Sequence, residues 1–367
     1  MALLRILHLA GSPTNTTYGE LSVLYAKGCI DALADAALYD FVIALVTPDG
    51  RWRFPSSLQP GVVNAAETMD IASALAFLTT ARIDVAVPHL FCVAGMTNYR
   101  ALLELLNIPY IGNPPFQMAL AADKAKTRTM VEAAGVRVPL AELLRKNDRP
   151  SLQPPVVVKP NNADNSDGLT LVTDIADYPA ALALAFSCSD QVLVEAFVPL
   201  GREVRCGIVV EGGALRMLPL EEYRLDPVTT PVRTSADKLK RDDDQSLAFA
   251  AKDATRSWIV ALDDPAVPAV WDAARRCHTA LGCEQYSLFD FRIDPQGRPW
   301  FLEAGLYCSF SPKSVLVAMM AAAGTPLGAF FNAAARTAIQ AHAHTQSMDP
   351  RIDQPIPPLH QLSLGNL

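Results

Sequence analysis

Two carboxylates in the last third of the chain are spaced for metal chemistry. Asp290 lies in Ser287-Leu-Phe-Asp290-Phe-Arg292-Ile-Asp294, and Glu303 closes Trp300-Phe-Leu-Glu303. If Asp294-Pro295-Gln296-Gly297 forms a hairpin turn, both acids fall on paired strands. Asp290, Arg292 and Asp294 then share one face at period two. Facing carboxylates want a cation, and hard oxygen donors beside phosphates suit Mg2+. The same residues also suit a salt-bridged strand face.

Lys159 ends the apolar run Val156-Val-Val and precedes Pro160-Asn-Asn-Ala-Asp-Asn165-Ser166-Asp-Gly168. A lysine at the end of a dry strand needs an anion, because burying it alone is costly. The loop after it offers N–H groups and small polar side chains, which suits a phosphate. A surface lysine before a turn is the alternative. No G-x-x-x-x-G-K-[ST] loop occurs. Glu195 follows the strand Val192-Leu-Val194 and precedes Ala-Phe-Val198 and Gly201-Arg-Glu203. An acid there can accept from an adenine amino group while apolar backbone lines the ring, and Glu203 can accept from ribose hydroxyls. A hairpin with exposed acids fits equally. Asp123-Lys124-Ala-Lys126 adds a further lysine on a helical pattern.

These residues belong to a chain of 367 residues with 31 Lys+Arg against 38 Asp+Glu, half of it hydrophobic. Such a length supports two or three domains, and such an apolar share excludes a disordered chain. A net charge of −7 argues against a general nucleic-acid partner. Met1 to Ala10 is short, contains His8 and lacks a cleavage pattern, so it reads as a buried strand rather than a signal peptide. No stretch is apolar for the ~20 residues that a membrane span needs. Seven scattered cysteines without a C-x-x-C pair suit reduced thiols in a cytoplasm. Cys277-His278 with Cys283 is poorly spaced for zinc.

The elements that must position these groups follow from periodicity. Over the first ~115 residues, strand-like runs Leu4–Leu9, Phe41–Val46, Asp84–Pro88 and Pro109–Gly112 alternate with helical patterns. That order predicts a parallel sheet, with a ligand crevice at the carboxyl ends of its strands. The polar stretch Gly11 to Gly19 falls there. A helix from Phe116 to Ala134 follows. Strands over 156–159, 169–172, 191–198, 203–210 and 214–220, with one helix near 178–186, then predict an antiparallel α+β region. Residues 221–250 are polar and aperiodic and read as a lid or binding loop. A helix over 267–282, strands over 285–294 and 299–304, and two Ala-rich helices complete the body.

Met118-Ala-Leu-Ala-Ala-Asp-Lys124-Ala-Lys-Thr-Arg-Thr-Met-Val-Glu-Ala-Ala-Gly-Val-Arg-Val-Pro139 resembles the D-alanine–D-alanine ligases of the ATP-grasp superfamily. Leu102-Leu-Glu-Leu-Leu-Asn-Ile-Pro-Tyr-Ile-Gly112 precedes it. The Lys159-Pro160 strand, the Glu195-x-x-Val198 hinge and the acids thirteen residues apart follow in family order. The resemblance covers roughly residues 1–330. It implies an ATP-grasp fold with an N-terminal parallel-sheet domain (1–115), a central lid domain (116–200) and a C-terminal α+β domain (201–346). The last carries the lid loop 221–250, and a flexible tail spans 347–367. It further implies ATP and Mg2+ as cofactors. Lys124, Lys159 and Ser166 would hold phosphates, Glu195 and the backbone of Val198 would read adenine, and Glu203 would bind ribose. Asp290 and Glu303 would hold Mg2+. Ser314 matches the serine on the acceptor carboxylate, and the amides near Ser309 match part of the oxyanion site. The implied reaction phosphorylates a carboxylate with ATP, after which an amine displaces phosphate to give an amide.

The departures bear on substrate. Gly305 stands where the family has a third metal ligand, and Leu288 where it has an oxyanion arginine. Arg292, on the same strand face, is the candidate replacement. Tyr18 replaces an acid that holds the first D-alanine ammonium, Asn165 replaces a serine, and His89 to Arg100 replaces the family's His-Gly segment. These changes point away from D-alanyl-D-alanine and toward other amino-acid-like substrates, in dipeptide or L-amino-acid ligation within specialised metabolism. Closure of a β-lactam, as in tabtoxin-type pathways, and a non-catalytic nucleotide-binding regulator are the alternatives. A small-molecule partner, no nucleic acid, no membrane and a homodimer permitted by apolar N-terminal helices complete the expectation.

Overall fold

Strand β1 (Leu4–Gly11) heads a sheet because its residues from Ile6 onward are buried on both faces, the signature of a central parallel strand. It pairs in parallel with β2 (Tyr39–Val46) and β4 (Val85–Pro88), and the short β3 (Trp52–Arg53) lies antiparallel on β2. Helices α1 (Thr16–Leu33), α2 (Pro60–Ala65), α3 (Ile71–Thr80) and α4 (Val93–Leu105) connect them. Asn15 starts α1 by accepting from the Tyr18 N–H. Gly11 is at φ +95°, and a Cβ there would sit 2.0 Å from the Val46 carbonyl oxygen. Only glycine lets the chain leave β1 at that point. The expected strand at Pro109–Gly112 is reduced to one bridge, Ala86 to Tyr110, since Pro109 has no N–H to offer a ladder.

The structure is a computed structural model that describes residues 3–163, 166–233, 239–241, 247–249 and 256–347, with backbone alone for 239–241, 247–249 and 345–347. Asn165, the greater part of the expected lid after residue 233 and the expected tail beyond Ser347 lie outside the described residues.

The single helix expected over 116–134 is two helices, α5 (Pro115–Ala122) and α6 (Lys124–Ala133). Asp123 breaks it at ψ 97°, and its carboxylate caps α6 by accepting from the Lys126 N–H. Both helices pack on the C-terminal sheet through Met118, Leu120 and Val131, not on the central one. The segment with its own core is therefore shorter than expected. It comprises β5 (Ala141–Arg145), β6 (Val156–Pro160), β7 (Thr170–Val172), α7 (Tyr178–Cys188) and β8 (Gln191–Ala196), in sheet order β5-β8-β6-β7. Its core, from Leu144 to Val194, includes no residue of the other sheets.

The largest sheet is antiparallel. It is built from β9 (Arg202–Glu211), β10 (Ala214–Met217), β11 (Glu221–Tyr223), β14 (Ser257–Ile259), β15 (Tyr286–Ile293) and β16 (Pro299–Gly305). Strands β12 (Leu239–Arg241) and β13 (Leu247–Phe249) form a separate hairpin. Residues 221–223 thus belong to the sheet and not to a loop. Helix α8 (Val267–Ala280) covers the core face, where Val204, Cys206 and Ile208 alternate with outward residues of β9. Helices α9 (Val315–Ala322) and α10 (Leu327–Ser347) share a second core with Ile6, Val85, Val87 and Phe310, which joins the N-terminal sheet to the C-terminal one. Asn113, fully buried, stitches that junction by donating to the Tyr286 and Leu306 carbonyls and accepting from the Glu284 N–H. No single helix among the described residues is long and apolar enough to cross a membrane. The apolar pair α9 and α10 bends by 111°, and four residues of α9 are buried.

Candidate active site

The turn at Asp294 sets the site. Its carboxylate accepts from the Gln296 and Arg298 N–H groups, and Gly297 takes φ +78°. That turn pairs β15 with β16 so that Asp290 and Glu303 are direct partners, with a bulge after Asp290. Lys124 reaches Glu303 at 3.1 Å, and Arg205 reaches Asp290 at 2.7 Å. The helix break at Asp123 is what places Lys124 there. Asn161, at the end of β6, holds the break by accepting from the Ala125 N–H and donating to Asp123. Lys124 also donates to the Ala163 carbonyl. The phosphate loop expected after Lys159 is thereby tied to the carboxylate pair.

Two cavities meet at this point, sharing Lys124, Ala163, Arg233, Asp290 and Glu303. The smaller, of about 90 Å³, is lined by Lys159, Ser166, Glu195, Val198, Glu203 and Arg292. The larger, of about 470 Å³, is lined by Tyr18, Phe91, Leu288, Gly305, Ser309 and Ser314, among others. All expected site residues except Asn165 are thus found on one continuous cleft.

Their local partners modify several expected roles. Lys159 and Glu195, on neighbouring strands, form a buried ion pair at 2.7 Å, with Arg128 3.7 Å from the same carboxylate. Glu195 therefore serves first as the counter-ion that orients Lys159, because an unpaired lysine there would be costly to bury. Arg292 donates to Glu203 at 2.7 Å and to the carbonyls of Val198 and Pro231. It lines the smaller cavity and is engaged with Glu203. Leu288, whose missing arginine it was expected to replace, lines the other, larger cavity. Glu203 keeps its second oxygen as an acceptor. Ser166 adopts φ +62° beside Gly168 at +73°, a tight turn at the mouth of the smaller cavity. Ser309 is buried and its hydroxyl accepts from the Ser311 N–H, while Ser314 begins α9. Phe310 between them is held at φ +54°, a strained value for a bulky residue, in a core of aromatic rings.

Sequence reasoning missed Arg205 and Tyr223. The signal for Arg205 was its alternation with Glu203 on β9, between residues that enter the core. Tyr223 was hidden in a stretch read as loop.

Among the described residues one other group of metal-ligating side chains lies close together, His8, Cys29 and His89, with ligand atoms within 4.8 Å. His8 Nδ1 faces His89 Nε2 at 3.0 Å, with ring centroids 5.3 Å apart and planes 14° from parallel. At that distance the two ring nitrogens share a proton in a hydrogen bond. Burial pushes His8 down to about 3 and His89 also well below its ordinary value, so both are neutral. His278 bonds Ser287 at 2.8 Å beside buried Cys277 and Cys283 and makes no metal group.

The family described as D-ala D-ala ligase C-terminus matches residues 130–332. The D-alanine–D-alanine ligase of Bordetella petrii is 32% identical over 209 residues, covering 55% of this chain and 59% of that protein. The chain thus spans about three fifths of that relative's length. The D-alanine–D-alanine ligase of Mycolicibacterium smegmatis is 29% identical over 363 residues, covering 88% of this chain and 94% of that protein. The solved D-alanine–D-alanine ligase of Coxiella burnetii superposes with a TM-score of 0.72 at 20% identity, covering 95% and 97% of the two chains. With more than half of its length matched by the family and a solved relative superposing along 95% of it, this chain belongs to the D-alanine–D-alanine ligase family and carries the ATP-grasp fold.

Proposed function

We propose that the protein is an ATP- and Mg2+-dependent carboxylate–amine ligase acting on amino-acid-like substrates. The observation that carries this reading is the Asp290–Glu303 pair, direct strand partners placed where the two cavities meet. Two carboxylates from adjacent strands are hard oxygen donors, and a site of few carboxylates suits Mg2+, which keeps several waters and takes phosphate oxygens. Asp290 and Glu303 would hold the ion. When bound, Mg2+ neutralises charge on the phosphates of ATP.

The chain's own residues then divide the work. Lys159, oriented by Glu195, and Lys124 fix phosphate oxygens as the γ-phosphoryl group moves. Glu203 is an acceptor for ribose. Ser309 and Ser314 line the larger cavity, where carboxylate and amine would meet. Arg233 lies over the Tyr223 ring at 3.5 Å and lines both cavities.

The leading form is dipeptide or L-amino-acid ligation. The larger cavity, walled by Tyr18, Tyr25, Phe91 and Tyr307, has room for more than a methyl side chain, and Tyr18 supplies no charge for an ammonium. A screen of phosphate release, with Mg2+, ATP and amino acids singly and in pairs, tests this. Release with pairs supports dipeptide ligation, and release with single substrates indicates ring closure. Silence across a broad panel, with ATP still bound, refutes the ligase reading in favour of a nucleotide-binding regulator.

A further inference from the structure

Arg205 has no role in the account above, yet it occupies the centre of the cleft. It lies midway along β9, with Asp290 as its neighbour on β15 and Glu221 on β11. Its side chain is only 15% exposed. Nε donates to Asp290 Oδ1 at 2.7 Å, and the guanidinium sits 5.2 Å over the Tyr223 ring. These contacts fix the plane of the group. Neither terminal nitrogen has a hydrogen-bond partner among the described residues, and the side chain lines the larger cavity. A fixed guanidinium with two unused NH2 groups is built to take a planar anion in a two-pronged contact.

We propose that Arg205 is a catalytic residue, holding the substrate carboxylate and then the acyl oxygen. The assignment rests on the ligase reading. In that reaction a carboxylate oxygen attacks the γ-phosphorus, and the bond to the β–γ bridging oxygen breaks, with its electron pair leaving on ADP. The amine nitrogen then attacks the acyl carbon and loses a proton to solvent. The carbon–oxygen bond to phosphate breaks and phosphate departs. Negative charge builds on the remaining acyl oxygen during the second step. Arg205 lies on the substrate side of Asp290, whereas Arg292 lies on the nucleotide side, held by Glu203. A rigid cation aimed at developing charge in a half-buried cleft is effective because it need not reorganise.

Acetyl phosphate, the simplest stable acyl phosphate, is the probe, added to the full-length protein with MgADP and read by thermal shift and titration. Wild type with MgADP should bind it, and Arg205→Gln should bind it about tenfold more weakly or worse, the cost of losing a charge-assisted pair. MgADP affinity should stay within about threefold, since Lys159 and Glu203 are untouched. Arg205→Lys keeps the charge beside Asp290 and loses the fork, so it should fold and still bind the probe about threefold or more weakly. Equal binding of acetyl phosphate by wild type and both variants overturns the proposal, as does a wild type that binds MgADP and ignores the probe. A wild type that fails to bind MgADP refutes the ligase reading itself.

Discussion

Lowering the pH from 7.5 to 5.5 should destabilise the protein through its buried histidines. His8 and His278 have their values pushed down to about 3 and about 4 by burial, and burial also pushes His89 well below 6.5. The folded state therefore keeps all three neutral, while the unfolded chain protonates them below about 6.5. A folded value below the unfolded one gives stability that is complete above pH 6.5 and is lost as pH falls. At pH 5.5 each histidine forfeits about 1.4 kcal/mol, so the three together cost about 4 kcal/mol relative to pH 7.5. Urea unfolding, followed by far-UV circular dichroism at pH 7.5, 6.5 and 5.5, measures this directly. The decisive variant replaces both members of the hydrogen-bonded pair, His8→Leu with His89→Met, because removing both partners leaves no orphan. Its loss over the same range should shrink to about 1.4 kcal/mol, the share of His278. A pH dependence that the double variant leaves unchanged would refute the reasoning, as would flat stability in wild type.

Asp290→Asn and Glu303→Gln should each lower turnover by about 10²-fold or more, measured as phosphate release with any substrate found in the screen. Lys159→Met should weaken ATP binding and slow phosphoryl transfer, whereas Lys126→Met, whose side chain is 73% exposed and pairs with Asp123, should do little; similar effects would mean Lys159 is not special. Gly305→Asn has space, with the nearest heavy atoms to an added Cβ at 3.8 and 4.0 Å. It should lower the Mg2+ concentration for half-maximal activity by about threefold or more by adding an oxygen donor, and an unchanged value would show that residue 305 does not face the ion. Gly11→Ala should cost about 2 kcal/mol or more by urea unfolding, since φ +95° and the Val46 carbonyl both oppose a Cβ.

What could be read in advance followed burial and turn chemistry. Strands β1, β2 and β4 announce themselves as apolar runs because both their faces are covered. The Asp290–Glu303 register follows from Asp294-Pro-Gln-Gly297, whose residues demand a tight turn whatever surrounds them. The failures share another cause. Glu221 and Glu222 look like loop residues, yet they are buried, with Tyr223 of β11 donating to Glu221 and Arg202 of β9 paired with Glu222. Asp123 hides inside an unbroken helical pattern, and its capping role depends on Asn161, 38 residues later. Arg292 and Arg205 are indistinguishable in sequence as cations on strands. Only the third dimension assigns one to Glu203 and the other to the open cavity.

The distribution of cores sets how the cleft can open. Phe310, α9, α10 and Asn113 bind the N-terminal and C-terminal sheets into one body, while the four-stranded sheet of β5 to β8 has a core of its own. A rigid body and a separately cored flap move relative to one another at low cost, since no shared core must be broken. Lys159, Glu195 and Ser166 ride on the flap, and Leu288, Ser309 and Ser314 on the body. Rotation of the flap would open the smaller cavity, which Lys159, Glu195 and Ser166 line, while the larger one keeps most of its walls. A flap that moved as a unit would set access to the smaller cavity apart from the specificity of the larger one.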